Sequence, residues 1–360
     1  ILGNLQNYLE EQGFMIGHDP WSQPIASLGG AISTNGVGYL AAKYGPMGDQ
    51  VLGLTVVLAN GEVIVDKRTS KDSMGPETKN LFIGAEGTLG VITEATIRIY
   101  PIPEYFKLIS FSFDSFSEGY DAILQIRNLT VPPSMIDFAE EIYPETDPIN
   151  HDISLHLAFQ GSRAIVDASA EEALTICLKY NGMVLNPAIS DKFWETRHDT
   201  AAVYQATLQL PLAERRERHS NWRKDYLHVT IPPSQVLAYR EKCNSIAKLY
   251  STTVTEWSIW GKPEFFSFII GEPQYENSQP QSMGVMIDEL LQAALTYGGT
   301  IEYCHGVGLK LSHLVHEEQE SKRPTLYQIK RSLDPQNILN PGKLGYAYPV
   351  LPLNSETKHT

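Results

Sequence analysis

The sequence predicts an α+β protein built on antiparallel sheets, and three observations carry that prediction. Asn60-Gly61 separates two apolar runs, the strongest short-range hairpin signal. From residue 105 strand and helix patterns alternate, yet the strand pattern at 252–257 leads into another at 265–270 with no helix between them. Two glycine-rich bends, at residues 29–38 and 84–90, break up the first hundred residues. A chain of 360 residues is long enough for two domains.

Taken in order, Leu2, Leu5 and Leu9 recur at helical spacing, so residues 2–12 predict a short amphipathic helix ended by Gly13. Residues 50–58, QVLGLTVVL, read as a buried strand that Asn60-Gly61 turns into a second at 62–65. Residues 67–79 are a polar loop. Val91, Thr93, Ala95, Ile97 and Ile99 alternate as one strand. Pro101 and Pro103 punctuate the chain, and a domain boundary is placed there: 1–102, then 103–343, then a tail at 344–360. The second part predicts strands at 108–113, 153–159, 227–231, 252–257 and 265–270. Its helices fall at 116–129, 165–180, 233–249 and 281–297, around an irregular middle.

Hydrophobic residues at 42% and charged residues at 19% are globular values. A net charge of −14 argues against nucleic acid, whose phosphates attract basic surfaces. It leaves room for a small anionic substrate, which needs only a local positive pocket. Cys177, Cys243 and Cys304 show no C-x-x-C pairing, so neither a disulfide framework nor a zinc site is expected. A reducing, cytoplasmic setting follows, with peripheral contact at a membrane and homodimerisation left open. No apolar run approaches the ~20 residues that span a bilayer. The sequence opens on Ile1 without a signal peptide or an initiator methionine, so an upstream piece is expected to be missing.

Residues 17–44, GHDPWSQPIASLGGAISTNGVGYLAAKY, hold the first bend. Four glycines between Gly29 and Gly38 permit positive φ and close approach, and N–H groups in such turns form a concave anion site. Ser33, Thr34 and Asn35 add donors beside it. A diphosphate-bearing cofactor suits this stretch; a glycine-rich surface loop between strands is the alternative. Residues 36–41 also fit the G-x-G-x-x-A dinucleotide fingerprint. That match fails on context, since SLGGAIST is no buried strand and Gly45-Pro46 stops the helix it requires. The second bend, GAEGTLG at 84–90, describes backbone laid against a ligand or a strand bent at a sheet corner.

Together these segments resemble the vanillyl-alcohol-oxidase (PCMH-type) FAD flavoproteins. The similarity is to the branch of D-lactate dehydrogenases, glycolate oxidases, D-2-hydroxyglutarate dehydrogenases and alkylglycerone-phosphate synthases. The matching segments are HDP at 18–20, GGAISTNGVG at 29–38, VLGLTVVLANGEV at 51–63 and GPETKNLFIGAEGTLGVITEA at 75–95. FWETRH at 193–198, HGVG at 305–308 and LDPQNILNPGK at 333–343 follow in family order. The resemblance implies that residues 1–102 are the C-terminal lobe of a PCMH-type FAD-binding domain. Residues 103–343 would be the antiparallel α+β cap, and the N-terminal FAD lobe would be missing or supplied by a partner chain.

It further implies non-covalent FAD contacts in three segments. These are Pro20, Trp21, Ser22, Gln23, Pro24, Ile25 and Ala26; Ser33, Thr34, Asn35 and Gly36; and Glu86, Gly87, Thr88, Leu89, Gly90, Val91 and Ile92. The implied activity is oxidation of a small 2-hydroxy acid such as D-lactate or glycolate, with electrons passed to a quinone, flavoprotein or oxygen rather than NAD. Alternatives are a synthase-like flavin transferase and a non-catalytic subunit. The hydroxyacid dehydrogenases hold a metal with a His-rich segment, but residues 254–270 contain no histidine, so no metal is expected.

Arg197 stands at the family's Trp-x-x-Arg position, which implies a two-toothed grip on a substrate carboxylate or phosphate. Otherwise it is a surface arginine beside Glu195 or Asp199. His305 is implied at the flavin, as base or hydrogen-bond partner to the substrate hydroxyl, against a merely structural histidine. His228 is an alternative base if it points into the cap, or a strand-edge histidine facing solvent. Cys304 reads as a small buried apolar residue.

Overall fold

A computed structural model describes residues 1–69, 71, 73–143, 150–211, 222–273 and 281–346. The helix Leu2–Glu10 buries Leu2 and Leu9 and leads into β1 (Phe14–Ile16). The first glycine-rich bend is not a string of turns. Its centre is a helix, Leu28–Thr34, opened by Ser27 Oγ accepting the Gly30 N–H and closed by Asn35 in the left-handed conformation. Three short strands follow: β2 (Val51–Val57), β3 (Val63–Val65) and β4 (Val91–Ile97). They form an antiparallel sheet in the order β3-β2-β4. Asn60-Gly61 makes the expected hairpin, with Val57 opposite Val63.

The alternation at 91–99 does not belong to one strand. The chain leaves the sheet at Arg98, whose N–H donates to the Gln50 carbonyl, and β5 (Ile99–Pro101) pairs with β1 instead. Leu2, Ile32, Met47, Leu54, Val56 and Phe82 form the core beneath these elements.

The remaining strands are β6 (Tyr105–Ser112), β7 (Met135–Tyr143), β8 (Asn150–Gly161), β9 (Met183–Val184), β10 (Trp222–Thr230), β11 (Thr253–Trp260) and β12 (Phe265–Pro273). They build one antiparallel sheet in the order β10-β12-β11-β7-β8-β6-β9. The period-2 alternation gives this sheet two unlike faces. Phe138, Leu155, Leu227, Trp257, Phe266 and Phe268 lie in the core beneath the helices Phe116–Ile126, Arg163–Lys179, Val236–Leu249 and Gln281–Thr296. The residues between them in the strands are polar: Asp137, His156, Ser258, Ser267 and His228. That polar face meets the glycine-rich segment, with the one-turn helix Ala41–Tyr44 lying on β7.

Strand β7 had no counterpart among the sequence expectations. The irregular middle contains two helices, Pro187–Thr196 and Asp199–Gln209. Among the described residues no helix is long and apolar enough to cross a membrane.

Candidate active site

Gly38 explains how the first bend is shaped. A Cβ there would lie 2.6 Å from the Asp19 carbonyl carbon, so only glycine lets the two segments cross. The Tyr39 N–H donates to the Asp19 carbonyl at 2.8 Å. This crossing sets residues 18–22 and 34–39 side by side as one wall of a cavity of about 310 Å³. Asp137 of β7 and Trp260 of β11 form the facing wall, and Cys304 and His305 close one side. Pro20, Trp21, Ser22, Ala26, Thr34 and Gly36 line this cavity, as does His305. Gln23, Pro24 and Ile25 do not line it. They complete the turn that docks the first helix, the Gly3 N–H donating to the Gln23 carbonyl at 2.9 Å.

A second cleft, about 400 Å³, lies across the helix Leu28–Thr34. Ser33, Gly87, Gly90, Val91 and Ile92 line it together with Asn340. Ser27 and Gly30 line both spaces, so the two adjoin.

Asn35, Glu86, Thr88 and Leu89 turn their side chains into the protein. Asn35 Oδ1 accepts the Gly48 N–H at 2.8 Å, and Thr88 Oγ1 donates to the Ala85 carbonyl at 2.7 Å. Leu89 is core. Glu86 Oε1 accepts the Val307 N–H at 2.6 Å, and Oε2 the Gly308 N–H at 2.9 Å. Glu86 itself sits at φ 48°. A Cβ at Gly306, φ 81°, would fall 2.8 Å from its carboxylate. The second bend is thereby latched to the 305–308 turn, a role no local pattern announces.

His228 is 1% exposed, so the solvent-facing alternative is corrected: the alternation of β10 turns it onto the covered polar face. Its Nδ1 meets Ser267 Oγ at 2.8 Å, Ser267 meets the Tyr303 hydroxyl at 2.7 Å, and Nε2 has no partner among the described residues. The His305 ring stands edge-on to it with centroids 4.4 Å apart. Burial, helped by His305 and Lys310, holds the His228 pKa well below the usual histidine value. His305 is lowered too, by burial and then by Lys310, which favours the neutral form of both rings.

His18, 2% exposed on the glycine-rich wall, has an Nδ1 without a hydrogen-bond partner among the described residues, and burial outweighs Asp19 to bring it down to about 4. Asp137 is pushed up to about 7 by burial and by Glu256 and Glu141. Burial drives Cys304 up to about 12, which keeps it a thiol.

Arg197 follows the helix Pro187–Thr196 and does not line the cavity. Its Nε donates to Asp19 Oδ2 at 2.9 Å, Nη1 donates to the Trp194 carbonyl at 2.6 Å, and the guanidinium lies 3.8 Å over the Trp194 ring. His198 Nε2 holds the other Asp19 oxygen at 2.8 Å. The surface alternative is corrected as well, since the partner is buried Asp19 rather than Glu195 or Asp199. The Tyr39 hydroxyl, donating to the Arg197 carbonyl at 3.1 Å, links it to the cavity wall. Tyr39, Asp137 and Trp260 were not among the sequence candidates. No local pattern singled out Asp137, because the polar residues of MIDFAEEIY fall on both faces of the strand.

Residues 102–344 match the pattern of the FAD linked oxidases, C-terminal domain. The chain belongs to the FAD-linked oxidases. Residues 1–66 match an FAD binding domain. Glycolate oxidase subunit GlcD of Bacillus subtilis is 27% identical over 93% of this chain and 72% of its own length. The mitochondrial D-lactate dehydrogenase [cytochrome] of Arabidopsis thaliana is 28% identical over 94% of the chain. Alkyldihydroxyacetonephosphate synthase of Dictyostelium discoideum is 25% identical over 96%. The chain spans 60% and 61% of the length of these last two relatives. A solved alkyldihydroxyacetonephosphate synthase shares the fold with a TM-score of 0.70 at 20% identity, over 95% of this chain and 62% of that one. p-Cresol methylhydroxylase does so at 0.69 and 19%, over 96% and 74%.

The residues present fit FAD, the cofactor of these oxidases. The orphaned His18 Nδ1, the Ser22 and Thr34 hydroxyls and the small Gly36 border one space. Through Ser27 and Gly30 it adjoins a second, as an elongated dinucleotide requires.

Proposed function

We propose that this FAD-linked oxidase oxidises a small 2-hydroxy acid and passes the electrons to an acceptor other than NAD. The observation that supports the reading is His305 closing one side of the cavity, beside the glycine-rich wall, with His228 behind it. Bound FAD supplies the acceptor for the hydride leaving the substrate carbon. The His305 ring takes the hydroxyl proton, so the alcohol loses a hydride and a proton and becomes a 2-oxo acid. His228, fixed by Ser267, holds the His305 ring from behind.

Arg197, the carboxylate anchor that the family motif implies, stands behind the cavity wall, and its proposed role is to set that wall through Asp19. Its Nη2 carries no hydrogen bond among the described residues, and Asp19 holds it beside cavity-lining His18 and Pro20. Gly36, Thr34 and the 20–26 turn form the proposed cofactor wall of the cavity, and Ser33 with residues 87–92 that of the adjoining cleft. The division at residue 102 separates this cofactor lobe from the substrate cap. Three unpaired cysteines accord with a reducing compartment.

A second reading, a synthase-like flavin transferase, is supported by the similarity to the Dictyostelium synthase over 96% of the chain. Anaerobic mixing with D-lactate or glycolate separates the two. Bleaching of the visible flavin band with one equivalent of 2-oxo acid supports oxidation. Conversion of an ether-lipid precursor without net redox change, and no bleaching, supports the transferase.

A further inference from the structure

Asp137 stands apart from the other carboxylates around the site. Asp19 is held by Arg197 and His198, Glu86 by two main-chain N–H groups, and Glu140, on the opposite face of β7, by Arg240. The Asp137 carboxylate has no hydrogen bond or ion pair among the described residues, although it lines the cavity. Its strand places it between Trp260 of β11 and His156 of β8. His156 is already engaged with Ser110 and stacked on Phe193.

Four residues along, on the same face, Glu141 lies directly opposite Glu256. The floor behind Asp137 is therefore acidic, and no lysine or arginine lines the cavity among the described residues. A carboxylate left without a protein donor takes one from cavity water or from a ligand hydroxyl that displaces it, because an unmade bond at such a group is costly. The same carboxylate, backed by two more, repels a second negative charge brought into the cavity.

We propose that Asp137 determines substrate specificity by accepting a hydrogen bond from a hydroxyl remote from the oxidised carbon and by rejecting substrates with a second carboxylate or a phosphate. The inference rests on the cavity being the substrate site, and it names the class as hydroxylated mono-acids. Its raised pKa agrees with a group that lacks donors and faces acidic neighbours.

The test is calorimetric binding of D-glycerate, D-lactate, D-malate and 1,2-propanediol to the isolated protein at about pH 8, above the Asp137 pKa of about 7. D-Glycerate binds more tightly than D-lactate, and D-malate binds at least about tenfold more weakly than D-glycerate. In Asp137→Asn the glycerate–malate gap shrinks to about threefold or less. Asp137→Ser, with thermal melting as a folding control, does the same despite its smaller side chain. Malate binding as well as glycerate in the unaltered protein, an unchanged gap in both variants, or binding of none of the four would each overturn the proposal. If the order holds but none of the hydroxy acids bleaches the flavin, the oxidation reading falls and the Asp137 assignment stands.

Discussion

His305 meets His228 edge to face, with ring centroids 4.4 Å apart, and the buried member of the pair is the one tied into the sheet. The cavity-facing ring is thus backed by a neutral, oriented neighbour rather than by a carboxylate. Burial and then Lys310 disfavour the protonated ring and lower its pKa, while the nearby Glu302 carboxylate accepts the His305 main-chain N–H at 2.9 Å. Activity should accordingly fall as pH drops below the usual histidine range, when His305 takes up a proton and loses its capacity as base. His305→Gln should cut kcat by about 10²–10⁴ and flatten that acid limb, read from kcat/KM against pH. His228→Asn should shift the limb with a smaller loss in kcat.

Glu86 latches the two halves of the site. Glu86→Ala removes the acceptor for Val307 and Gly308 and should cost about 2 kcal/mol of stability. Hydrogen exchange at those two amides should quicken, while exchange in the helix Arg163–Lys179 stays slow. Equal quickening in both would show that the contact is not local.

Arg197 and Asp19 are coupled through a short, largely buried pair. Arg197→Ala should raise KM for an acid substrate by about tenfold or more and leave Asp19 with His198 alone. A double-mutant cycle with Asp19→Ala should give a coupling energy of about 1–3 kcal/mol in urea unfolding. Additivity would separate the two residues.

Asp137 gives a stability test with a definite sign. Its folded pKa, about 7, lies above the ordinary aspartate value of 3.8, so its contribution is full below about pH 4 and is lost as pH rises to 7. Asp137→Asn has no such loss. Its melting temperature should gain on that of the unaltered protein between about pH 4 and 7, by a few degrees at most, and hold the gain above that. A constant difference across the range would place Asp137 in a water-like environment.

Strands were legible where apolar runs stood out, as in β2, with its Asn60-Gly61 turn, β8 and β12. Strand β7 escaped because its polar positions, Asp137, Glu140 and Glu141, hide a period that only the neighbouring strands make sense of. Asp137 was lost with it. Glycine density at 29–38 marked a stretch that lines the cavity, but the helix within it depends on a single cap at Ser27 and runs against the low helix propensity of Gly29 and Gly30. The family motifs brought out His305, Arg197 and Glu86 by position. What Arg197 and Glu86 touch was not legible, because Asp19 lies 178 residues from Arg197 and Val307 lies 221 from Glu86.

The most direct test of the account is whether the space beside Gly36 receives the flavin. A Cβ at Gly36, which lines the cavity, would meet Thr34 Oγ1 at 3.5 Å, His18 Cε1 at 3.7 Å and the Cys304 carbonyl at 3.8 Å, ordinary contacts, so Gly36→Ala fits the fold. Fluorescence titration with FAD should show affinity reduced by at least about tenfold in this variant with an unchanged melting temperature. FAD affinity equal to that of the unaltered protein would contradict the account.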